Sequence, residues 1–66
     1  MDVSSLTKTL EKAFTPRQSE VIARVIIESV ENPPDEATII KALEEVLTPR
    51  QSEVLARVIV ENLGNC

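Results

Sequence analysis

The segment TPRQSEVIARVIIESVEN, from Thr15 to Asn32, returns as TPRQSEVLARVIVENLGN from Thr48 to Asn65. Upstream, Asp2, Lys8, Leu10 and Glu11 realign with Asp35, Lys41, Leu43 and Glu44. A period of about 33 residues holds one helix-turn-helix hairpin, which cannot bury its own apolar face, so each copy needs further surface to cover it. The 66 residues make one domain. Chains this short bury only roughly 60% of their unfolded surface, and association adds to that. The expected fold is all-α: two tandem αα-hairpins, residues 2–32 and 35–65 joined through 31–36, forming a four-helix bundle that self-associates.

The helix boundaries follow from side-chain chemistry. Asp2 suits an N-cap, and Val3, Leu6, Leu10, Ala13 and Phe14 after it form one narrow helical stripe. Thr15-Pro16 stops that run, because a residue before proline is pushed out of the α region. The same dipeptide restarts the chain: Thr15 at the N-cap, Pro16 at the first helical position and Gln18 at the third make a capping box, repeated by Thr48, Pro49 and Gln51. The second helix is expected to reach about Val30, ahead of Asn32 and Pro33-Pro34. Asp35 caps the third, whose apolar positions are Ile39, Ile40, Ala42, Leu43, Val46 and Leu47. The fourth runs from Pro49 to about Leu63, with Gly64 as a left-handed terminator. The β-branched stretches VIARVIIESV and VLARVIVENL also invite a strand reading. Alternation fails in them, whereas helical spacing gathers Arg17, Glu20, Arg24, Glu28 and Glu31 on one arc.

Wheel geometry separates two kinds of helix. The first has an apolar stripe about 100° wide, enough for one groove, whereas the second and fourth are apolar or small over about 240°. The second and fourth are therefore expected at the centre, with the first and third as outer braces. Two arrangements use such faces: hairpin against hairpin within one chain, or two chains across a symmetric interface. Surplus apolar area favours a homodimer, through Ala23, Ile27 and Val30 with Ala56, Val60 and Leu63. Phe14, the one aromatic residue, and Leu47 are expected to plug the hairpin corners.

Composition removes most chemistries. Without His or Tyr, and with one Cys, nucleophile–base pairs of the usual kinds cannot be assembled. A single glycine, Gly64, offers no phosphate-cradling loop. The pairs Asp35-Glu36 and Glu44-Glu45 point about 100° apart on a helix and do not converge on a substrate. The turns also lack the oxygen-rich loop of an EF-hand. No enzyme activity, cofactor, metal or small-molecule ligand is expected. Net charge is −4 and the pI about 4.6, a balance that disfavours nucleic acid and anionic membranes.

One alternative is a small DNA-binding regulator using the second and fourth helices, with Arg17, Arg24, Arg50 and Arg57 as contacts. Every one of those arginines has acidic neighbours. Another alternative is an engineered duplication of one natural hairpin, although β-branched helices depart from idealised design. Cys66 reads as a solvated tail thiol, or as half of an intermolecular disulfide. No signal peptide or membrane-spanning run is recognisable, so a cytoplasmic or other reducing intracellular compartment is expected.

The stretch LEKAFTPRQSEVI, from Leu10 to Ile22, resembles the helical hairpin that heads the mitochondrial calcium uniporter regulator family of coiled-coil proteins. The shared pattern is Leu-Glu, then Phe-Ser/Thr, two variable residues, Gln and a second amphipathic helix, and it recurs from Leu43 to Leu55. The resemblance covers the turn of each hairpin. This chain lacks the glycine before Phe, duplicates the hairpin, and shows neither a coiled-coil stalk nor an anchor pattern. What the resemblance implies is a head-like oligomerising or docking module, with no residue assigned a role.

Overall fold

The computed structural model describes residues 2–64 as four helices: α1 (Val3–Leu10), α2 (Pro16–Glu31), α3 (Glu36–Leu43) and α4 (Pro49–Gly64). Asn65 and Cys66 lie outside the described residues, and with them the two readings of the terminal thiol.

The caps form as their side chains dictate. Ser5 N–H donates to Asp2 Oδ1 at 2.7 Å, and Thr38 donates to Asp35 Oδ1 through its N–H at 2.9 Å and its hydroxyl at 2.6 Å. Hydrogen bonding to the charged form lowers a carboxyl pKa. The Ser5 backbone bond holds Asp2 below its ordinary value, and the Thr38 hydroxyl and backbone bonds do the same for Asp35. Thr15 and Gln18 close a reciprocal box, with Gln18 N–H on Thr15 Oγ1 at 3.1 Å and Thr15 N–H on Gln18 Oε1 at 3.0 Å. Thr48 and Gln51 repeat it at 3.1 Å both ways.

Two boundaries differ from expectation. The first and third helices end at Leu10 and Leu43 instead of continuing to the Thr-Pro break. The chain tightens there, with Ala13 N–H on Leu10 O at 3.0 Å and Val46 N–H on Leu43 O at 3.1 Å, a three-residue spacing that satisfies terminal carbonyls in little length. Gly64 is the last residue of α4.

Helix α1 packs on α2 and on no other helix, and α3 packs along α4. The two pairs are joined mainly by α2 against α3, while α2 and α4 meet only sparsely. This corrects the expected layout: α2 is central, but α3 rather than α4 is its main partner across the seam. The result is a slab of 26 × 26 × 14 Å. Its core is aliphatic: Ile22, Ile39 and Leu43 are fully enclosed, with Val25, Leu47, Ala56 and Ile59 around them.

One polar contact crosses the seam between capping turns: Gln18 Nε2 donates to Val46 O at 3.2 Å. Its counterpart Gln51 makes the same local cap but donates to no carbonyl among the described residues. Gln18→Ala should therefore destabilise the fold more than Gln51→Ala in urea unfolding, by about 1 kcal/mol for the additional bond. Equal losses would contradict the bridge.

Candidate interaction face

At about 100° per residue, Gln18, Val21, Val25 and Ser29 share one arc of α2, and Gln51, Val54, Val58 and Asn62 occupy the same arc of α4. The two arcs are nearly the same in sequence and opposite in environment. Val25 is 9% exposed and Ser29 1%, because α3 lies over them, whereas Val54 is 53% and Val58 48% exposed. Ile22 is fully enclosed, and its counterpart Leu55 is half-buried. Position 62 carries Asn where α2 has the buried Ser29, and Asn62 Nδ2 donates to Val58 O at 2.7 Å.

The open arc of α4 borders a groove of about 350 Å³ lined by Phe14, Leu47, Gln51, Val54, Leu55 and Val58, with Arg50 at its rim. Phe14 reaches it from the turn after α1 and is half-buried there. Leu47 is buried in the core at 8% exposure. Along the other edge of the arc run Arg50, Glu53, Arg57 and Glu61. Arg57 lies 4.0 Å from Glu36, a surface ion pair of small energetic weight.

The six residues expected at an interface divide by burial. Ala23 and Ala56 are fully buried inside the chain and offer no surface to a partner. Ser19 and Ser52 one turn earlier are also fully buried, and neither hydroxyl has a hydrogen-bond partner among the described residues. Four small side chains at matching positions leave little volume beyond the backbone, which suits close approach of the paired helix. Ile27, Val60 and Leu63 are half-buried, and Val30 is 53% exposed.

Arg17, Arg24, Arg50 and Arg57 are all exposed and do not form one cluster. Arg24 borders two shallow depressions that also hold Glu28 and Glu45, and Glu11 and Glu20. No helix among the described residues is long and apolar enough to cross a membrane.

Val54 and Val58 belong to the wide apolar face of the fourth helix, and the sequence does not set them apart, because their counterparts Val21 and Val25 look the same. The one available signal was Asn62 in place of Ser29. Comparison with known protein families, characterised proteins and solved structures finds no match for this chain.

Burial predicts different tolerances along α4. Ala56→Leu should lose about 1–3 kcal/mol through overpacking, and Val58→Gln should stay within about 0.5 kcal/mol of the parent. Thermal and urea unfolding measure both, and a tolerated Ala56→Leu would contradict the enclosed crossing.

Proposed function

We propose that this chain is a small helical protein–protein interaction module, built of tandem hairpins, that docks an apolar helix on the open arc of α4. One observation carries the reading: α2 and α4 share a sequence, and the arc that is covered on α2 stands open on α4. Within the chain that surface accepts a helix, α3, through Ile39 and Ala42 against the Val25 side of α2. A free copy of it offers the same contact to another helix, in the manner of an amphipathic helix laid into an apolar groove. Val54, Val58, Leu55 and Phe14 supply the apolar area, and Arg50 and Glu61 the charged rim. Exposed valines on successive turns of one helix are the kind of apolar patch that marks an interaction surface.

The acidic balance of the chain and the carboxylates beside Arg24 and Arg57 support a protein partner over nucleic acid. The likeness of each turn to the uniporter-regulator head hairpin agrees with a docking role.

The direct probe is a peptide of residues 35–48, the segment that covers the matching arc of α2. Titrated into dilute isotope-labelled protein, it should shift the resonances of Gln51, Val54, Leu55 and Val58, and Val54→Asp should abolish those shifts. Shifts confined to other faces, or none at all, would remove this reading.

A further inference from the structure

We infer that the occupant of the open arc is a second copy of this chain, docked α4 against α4 in antiparallel register. This rests on the docking role proposed above and adds the identity and orientation of the partner. The charge pattern of the arc supplies the orientation. Arg50 stands near one end of the stripe and Glu61 near the other, on the same flank of Val54 and Val58. When two antiparallel copies cross at the level of Ala56, Val54 of each lies level with Val58 of the other. Arg50 then falls within one residue of the level of Glu61 in the second copy. Like flanks face each other in an antiparallel helix pair, so the two-fold axis makes this contact twice. A parallel pair sets the charged flank opposite Gln51 and Asn62 and leaves both charges unmatched. Arg57 approaches its own symmetry mate in the antiparallel pair, but it lies further round the helix and is already held by Glu36.

The apolar contacts agree with this register. Val58 of the second copy, level with Val54, falls over the groove between Phe14, Leu47 and Leu55. Continuing the internal pattern head to tail is the competing geometry, with α1 of the next copy taking the place of α3. Helix α1 is poorly suited to that place. The counterparts of Ile39, Ala42 and Glu45 in the first repeat are Leu6, Thr9 and Lys12, so a single apolar residue remains. A head-to-tail contact would also propagate into open chains, whereas the antiparallel contact closes at two copies.

Sedimentation equilibrium of the full chain over a wide concentration range tests the register. The parent should reach a dimer and stop there. Arg50→Glu alone, and Glu61→Arg alone, should each raise the dimer dissociation constant about tenfold, since two attractions become repulsions. One variant is then acidic at both ends of the stripe and the other basic at both ends. Mixed in equal amounts they should recover association as a heterodimer, and the Arg50→Glu/Glu61→Arg double variant should recover it on its own. Circular dichroism of each variant checks that helicity is retained, and recovery on mixing excludes a folding defect directly. A chain that stays monomeric, growth beyond a dimer, or a dimer indifferent to the charge reversals would each overturn the inference. A monomer that still binds the 35–48 peptide would leave the docking role intact and remove only the second copy as its occupant.

Discussion

A helix apolar over about two-thirds of its circumference needs two neighbours, and that requirement shapes this molecule more than any single bond. Helix α2 meets it further than α4 does, with Val30 still 53% exposed. Helix α1 covers one side, and α3 covers the other by closing over Val25 and Ser29. Helix α4 carries the same requirement with one good neighbour, α3, and a sparse second contact to α2. A fully enclosed valine or isoleucine contributes roughly 1.5–3 kcal/mol relative to its exposed form. The difference between Val25 and Val58 is therefore large for a chain of this size. The slab shape follows, because hairpins laid side by side extend sideways.

Polar groups fix where the helices start and how the hairpins meet. Both boxes, Thr15 with Gln18 and Thr48 with Gln51, satisfy backbone donors that proline-initiated helices leave free. Gln18 then uses its remaining amide to reach Val46 O, so one side chain both starts α2 and binds the next turn. That double use makes the relation between the hairpins directional: the first reaches the second, and the second does not reach back. The seam is thus not a two-fold contact, and the Gln51 arc faces outward.

The sequence made the helices legible because their punctuation is local. Threonine, proline and glutamine at fixed offsets, and Asp2 and Asp35 ahead of apolar runs, state where helices begin without reference to the rest of the fold. The shortened ends of α1 and α3 were not legible, since a tightened last turn depends on how Phe14 and Leu47 pack after the break.

Which part of the wide apolar faces stands open was not legible in the sequence. Periodicity shows that α2 and α4 are apolar on too many sides, but which edge takes the hairpin mate depends on small residues at the crossing. Ser19, Ala23, Ser52 and Ala56 are the small residues fully buried on α2 and α4. Two valines of closely similar local sequence differ in their cover: α3 lies over Val25, and Val58 stands 48% exposed among the described residues.

Methyl NMR of the valines in the presence of a soluble paramagnetic agent reads that difference. In protein dilute enough to be a single chain, the Val54 and Val58 methyls should relax strongly and those of Val25 weakly. Equal relaxation of Val25 and Val58 would contradict it, because the two arcs would then share one environment and α4 would have no open face.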